Sequence, residues 1–134
     1  MNYWLIVPAA GKGKRFGGQL PKQYLRLGQS TVMQTTLDRL STLAVIKQII
    51  VPIHPEDDIA KNLTYQYPQK IRFVTGGAER ADSVLAGLEA IKTEAQPDDW
   101  VLVHDVARPC VRLTDIQNMF TQLFDDEVGG ILAA

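Results

Sequence analysis

Three features of the chain predict a three-layer α/β/α fold built on a mostly parallel sheet. Short runs of β-branched and other apolar residues alternate with segments whose apolar residues recur at helical spacing. The loops between them are short, as in doubly wound α/β domains. The residues with chemical potential stand directly after the apolar runs, and ligands of parallel sheets bind at the carboxyl ends of strands. The chain has no internal repeat and no low-complexity tract.

Trp4-Leu5-Ile6-Val7 is the first strand, apolar with two β-branched members and closed by Pro8. The loop after it holds Gly11, Gly13, Gly17 and Gly18, threaded with Lys12, Lys14 and Arg15. Glycines at that density suit a backbone that takes positive φ or passes close to a ligand. Three neighbouring cations repel one another unless an anion sits among them. A polyphosphate is the natural anion, held by backbone N–H groups and by the Lys and Arg side chains. The loop lacks the third glycine of a dinucleotide fingerprint, because Phe16 occupies that position, and no Gly-Lys-Ser/Thr ending makes it a Walker A loop.

Pro21-Lys22-Gln23-Tyr24-Leu25 leads through Gly28 to a helix. Thr31 with Gln34 matches a capping box, and Met33, Leu37, Leu40 and Ala44 follow at helical spacing. Ile49 to Ile53 reads as the second strand, and Pro55 with Glu56, Asp57 and Asp58 as a helix start with carboxylates at the positive end of its dipole. Ile71 to Val74 is a third strand, broken by Gly76-Gly77. Ala81, Val84, Leu85, Leu88 and Ile91 then repeat as one helical face, from a start near Glu79. Gln96-Pro97-Asp98-Asp99 is a turn. Trp100 to His104 is the strongest strand of all, buried and stopping at Asp105. Thr114 with Gln117 suggests a second capping box, heading a helix whose face is Ile116, Met119, Phe120, Leu123 and Phe124.

At 134 residues, 46% hydrophobic and 22% charged, the chain is one globular domain at most. It carries 14 basic and 15 acidic residues, net −1, yet Lys12, Lys14, Arg15, Lys22 and Arg26 all precede the first carboxylate, Asp38. A local cationic segment in a near-neutral protein argues for a small anion and against a nucleic-acid surface. The single cysteine, Cys110, excludes an internal disulfide and suits a reducing compartment. Met1 to Val7 lacks the basic region of a signal peptide, and no run approaches the ~20 apolar residues that span a bilayer. The expectation is a soluble, cytoplasmic protein with no membrane partner. Gly129 to Ala134 reads as a loop followed by the first residues of a buried strand, so the fold is expected to be C-terminally incomplete.

Asp105, at a strand end, is the metal candidate: one carboxylate suffices for Mg²⁺ when phosphates and waters fill its other positions. The other reading is a turn salt bridge with Arg108. Asp82 and Ser83 stand early in a helix, where they either offer polar groups to a base or ribose or only stabilise the first turn; spacing leaves both open. His104 reads as a packed strand-end residue, His54 as a surface or capping residue and Cys110 as a small packed hydrophobe. No nucleophile–base pair stands out, as hydrolysis or acyl transfer would need. Nucleotidyl transfer to a phosphate acceptor does without one, because the acceptor is already ionised and catalysis reduces to alignment and charge neutralisation.

Four segments, taken in order, resemble the 2-C-methyl-D-erythritol 4-phosphate cytidylyltransferase family: Pro8 to Gly17, Pro21 to Tyr24, Gly76 to Val84 and His104 to Pro109. The resemblance runs through the whole chain and implies a nucleotide-diphospho-sugar transferase-like fold, of which residues 1–134 are the nucleotide-binding part. It implies transfer of CMP from CTP to a phosphorylated polyol, with Mg²⁺ and release of pyrophosphate, by a homodimer when full length. By position Ala9, Ala10, Gly11, Lys12 and Gly13 would line the nucleotide, and Arg15 and Lys22 would be catalytic, binding phosphates and stabilising the α-phosphorus. Gly77 and Ser83 would face the base and ribose with Arg80 supporting that loop; Asp105 would hold Mg²⁺ with Arg108 nearby. Ala78 and Val106 depart from the residues most usual in the family. The family's acceptor ligands and dimerisation arm follow the region matched by Ala134, so the chain alone is expected to be inactive. The alternatives are a ribitol-5-phosphate or other sugar-phosphate nucleotidyltransferase, and a nucleotide-binding fragment without turnover.

Overall fold

The computed structural model describes residues 2–10, 22–106 and 112–123. Four strands form one parallel sheet: β1 (Tyr3–Ile6), β4 (Ile46–Ile53), β5 (Ile71–Thr75) and β6 (Trp100–Val103). Their spatial order is β5-β4-β1-β6. The chain therefore works outward from β1 in one direction, then crosses back to lay β6 on the other side of β1. The reversal lies between β1 and β6, which makes their carboxyl ends a topological switch point.

Odd and even residues of β1 face opposite layers, as the period of two requires. Tyr3, Leu5 and Val7 join Met33, Leu37 and Leu40 of α1 (Val32–Ser41) and Ile116 of α3 (Leu113–Leu123) in the larger core. Trp4 and Ile6 join Ile50 and Ile91 in a smaller core under α2 (Arg80–Ile91). Helices thus cover both faces, and the expected three layers are present.

Between β1 and α1 a short hairpin, β2 (Arg26–Leu27) with β3 (Ser30–Thr31), turns at Gly28, whose φ of +64° a side chain would resist. Thr31 and Gln34 form the expected capping box, with Gln34 N donating to Thr31 Oγ1 (3.1 Å) and Thr31 N to Gln34 Oε1 (2.9 Å). At the amino edge of the sheet the expected turn closes on Asp99. Its carboxylate accepts from Asn2 N (2.7 Å), the Trp4 indole (2.9 Å) and Gln96 N (2.8 Å), tying the start of β1 to the start of β6.

Several expectations need correction. Helix α1 ends at Ser41, so Leu43 rather than Ala44 takes the next buried position. The second strand starts at Ile46, three residues before the expected Ile49. The expected helix after Pro55 is absent; two 3-10 turns, Ala60–Asn62 and Pro68–Lys70, carry the chain from β4 to β5. The carboxylate expected to favour a helix start instead caps a turn: Asp57 Oδ1 accepts from Ile59 N (2.8 Å) and Ala60 N (3.0 Å).

The buried face of α2 is Ser83, Gly87 and Ile91, whereas Leu85 is 55% and Leu88 39% exposed. Small residues win that face because the helix lies close on β1: a Cβ at Gly87 would sit 3.0–3.2 Å from the Ile6 side chain. Strand β6 is half-exposed, since among the described residues it pairs only with β1. Helix α3 begins at Leu113, which puts Thr114 inside the first turn rather than at its cap. On α3 the burial of Ile116 is as expected, while the side chains of Met119, Phe120 and Leu123, and all of Phe124, lie outside the described residues.

Candidate functional site

The three loops expected to form a site leave the sheet on one edge because all four strands run the same way. The first continues β1. Val7 N donates to Ile50 O (2.9 Å) and Ala9 N to Pro52 O (2.8 Å), so strand-like pairing carries Ala9 and Ala10 onto the end of β4, where both are buried. The second leaves β5 on the far side of the same strand, with Gly76 N donating to Ile53 O (2.7 Å). The two loops therefore meet over the last residues of β4.

Their contact leaves no space for a side chain at Gly76. A Cβ there would lie 2.5 Å from Ala10 Cβ, 2.8 Å from Ser83 Oγ and 3.2 Å from Pro52 Cβ. At Gly77 it would overlap the Asp82 side chain. Ser83, fully buried one turn into α2, braces this loop: its Oγ accepts from Gly77 N (3.2 Å) and lies 3.5 Å from Gly77 O. Asp82 accepts from Glu79 N (3.2 Å) and so stabilises the first turn of the helix, which is the local role open to it from spacing. Arg80, the first residue of α2, is exposed.

The third loop follows β6. His104 N donates to Ile6 O (2.9 Å), so the ladder with β1 persists one residue past the strand and sets Asp105 beside the outgoing end of β1. His104 is packed, as expected of a strand-end residue. His54 caps its own turn, its Nδ1 accepting from Glu56 N (3.1 Å).

Lys22 opens a 3-10 turn, Lys22–Tyr24, that is pinned to two strand ends at once. Gln23 Nε2 donates to Ala9 O (3.0 Å), and Tyr24 OH donates to Asp57 Oδ2. Burial first, and then the Asp57 hydrogen bond, push the Tyr24 hydroxyl well above the usual phenol range, so it stays a donor. Tyr65, which donates to Ala60 O (2.7 Å), is raised by burial and by the charges of Asp38 and Asp57. Sequence reasoning gave no anchoring role to Gln23 or Tyr24, and it placed Asp57 at a helix start rather than opposite Tyr24. The only signal was the placement of an amide and an aromatic directly after the cation.

Ala9, Ala10, the backbone of Lys22, Gly77, Ser83 and Asp105 thus stand around the carboxyl edge of β4, β1 and β6, with Arg80 at the helix start beside them. Gly11, Lys12, Gly13, Arg15, Arg108 and Cys110 lie outside the described residues, as does the Lys22 side chain. Among the described residues no group of three or more His, Cys, Asp or Glu side chains gathers. A dication here would take the single carboxylate of Asp105 together with ligand oxygens and water, and that donor set suits Mg²⁺.

The family model described as 2-C-methyl-D-erythritol 4-phosphate cytidylyltransferase matches residues 3–134. A protein of that name from Hahella chejuensis is 50% identical over 129 residues, covering 96% of this chain and 54% of the relative. Among solved structures, the 2-C-methyl-D-erythritol 4-phosphate cytidylyltransferase of Francisella tularensis superimposes with a TM-score of 0.77 at 35% identity, over 95% of this chain and 54% of that one. The bifunctional IspDF of Campylobacter jejuni does so with a TM-score of 0.65 at 28% identity, over 93% of this chain and 31% of that one. The chain spans about half the length of the curated relatives it matches.

Proposed function

This chain belongs to the 2-C-methyl-D-erythritol 4-phosphate cytidylyltransferase family, and from that premise we propose that it supplies the CTP-binding part of an enzyme of isoprenoid biosynthesis. The reaction joins CTP and 2-C-methyl-D-erythritol 4-phosphate into CDP-methylerythritol and pyrophosphate. The supporting observation is that the loops after β1, β5 and β6 share one edge, with Gly76 seated between Ala10 and Ser83 over the end of β4 and Asp105 beside the switch point. A tightly packed wall of backbone and small side chains is suited to a flat base and ribose, and the cationic segment that follows Ala10 in sequence is suited to a triphosphate.

In the proposed mechanism an oxygen of the acceptor phosphate attacks the α-phosphorus of CTP. The new P–O bond forms as the α-phosphorus loses its bond to the bridging oxygen, which leaves with pyrophosphate. No proton has to be removed, because the acceptor is ionised at neutral pH. Arg15 and Lys22 neutralise the charge that builds on the α-phosphoryl oxygens, and Lys12 and the amides of Gly11 and Gly13 hold the triphosphate in line. Ala9, Ala10, Gly77 and Ser83 enclose the base and ribose, with Arg80 supporting the loop and Arg108 beside the phosphates. Asp105 would hold Mg²⁺, whose contribution when bound is to draw the phosphates together and offset their charge. The enzyme would act in the cytoplasm as a homodimer. No helix of the described residues is long and apolar enough to cross a membrane.

The test is to offer the natural protein carrying this chain CTP, Mg²⁺ and either methylerythritol phosphate or ribitol 5-phosphate, and to measure pyrophosphate. Release with methylerythritol phosphate alone is expected, and Lys22→Ala should cut kcat far more than CTP affinity. Release with neither acceptor removes the proposal.

A further inference from the structure

The residues next to Lys22 explain how its backbone could be held so that a lysine reaches a phosphate. Gln23 is 8% exposed and Tyr24 5%, although both follow directly on a lysine in a three-residue turn. Each spends its polar group on a different strand end. The Gln23 amide is bonded to the carbonyl of Ala9, a residue itself paired to Pro52 and bridged to Ile53. The Tyr24 hydroxyl is bonded to Asp57, whose other oxygen caps the turn after β4 through Ile59 N and Ala60 N. The turn is therefore referenced to β1 and to β4 by separate hydrogen bonds, both in buried or part-buried surroundings where such bonds are strong and geometrically demanding.

Resting on the function proposed above, we infer that Gln23 and Tyr24 are positioning residues for Lys22: together they lock the Lys22–Tyr24 turn against the Ala9 carbonyl and the Asp57 carboxylate, and so fix where the lysine backbone stands relative to the nucleotide loop. Both side chains are buried with their polar groups bonded to the protein. Their effect passes through Lys22, whose long stem would otherwise multiply any shift of its backbone. A displacement of about 1 Å at such a group can lower the rate by about 100-fold.

A double-mutant cycle on the natural protein tests this. Gln23→Met keeps the length and neutrality of the side chain but removes the donated hydrogen bond to Ala9 O, and Tyr24→Phe removes only the hydroxyl. In an otherwise unaltered enzyme each should lower kcat by about 10- to 100-fold while changing KM for CTP by less than about threefold. In a Lys22→Ala background the same changes should cost less than about twofold, because the group they position is gone. If they cost as much without Lys22 as with it, or if they raise KM and leave kcat alone, the inference is wrong while the function stands. If the unaltered protein releases no pyrophosphate from CTP, the function falls and the inference with it. Should Tyr24→Phe unfold the domain, Gln23→Met alone carries the decision.

Discussion

Gly76 is a position at which a single methyl group would crowd two walls of the site at once, Ala10 and Ser83. The expected result of Gly76→Ala is a loss of about 1–3 kcal/mol of stability from overpacking against Ala10 and Ser83, measured by urea unfolding. Weaker CTP binding should accompany it, because relief of the clash pushes Ala10 or Ser83 out of place. Asp99 makes a prediction about acid. The Trp4 indole N–H, set against partial burial and aided by the Gln96 and Asn2 amides, lowers its pKa from 3.8 to about 2. A carboxylate that is more acidic when folded binds fewer protons in the native state than in the unfolded one. Its contribution is therefore complete above pH 3.8 and lost as pH falls through about 2. Asp99→Asn should lower stability at neutral pH, and the gap from the unaltered protein should narrow towards pH 2 in acid-unfolding curves.

Helix α2 shows what sequence patterning can and cannot reveal. Its existence and its start near Glu79 were legible, because periodicity and capping chemistry are local. Its orientation was not: the leucines mark the most hydrophobic face, but the helix buries Ser83 and Gly87, since close approach to Ile6 is a property of the pair of elements. Gly87→Ala therefore sets a gain in helix propensity of about 1 kcal/mol against crowding of about 1–3 kcal/mol. A net fall in Tm is expected, and it should shrink in an Ile6→Val background, which trims one of the crowding atoms. The same division explains the segment after β4. Pro55 and three acidic residues are a good local helix start, but no apolar stripe follows to hold a helix on the sheet, and Asp57 serves Tyr24 and a turn instead. At the site, the loop after β5 was legible from Gly76-Gly77 and the loop after β6 from Asp105 at the strand end. The Gln23 and Tyr24 anchors were not, because their partners lie 14 and 33 positions away.

The whole sheet is arranged around β1, which pairs with β4 on one side and β6 on the other. The parallel direction of the strands was legible from their alternation with helices, and with it the prediction that three loops share an edge. Strand order was not, because alternation is the same whichever side of β1 each new strand joins. That order brings distant parts of the chain together at the site: Ile6, at the carboxyl end of β1, pairs with Val103, at the carboxyl end of β6. During synthesis β1 leaves the ribosome first, and its second neighbour follows after roughly 5 to 20 s at ordinary elongation rates. Through that interval the edge of β1 that β6 will cover keeps its backbone N–H and C=O groups unpaired, so a newly made chain would be a client for chaperones until β6 arrives.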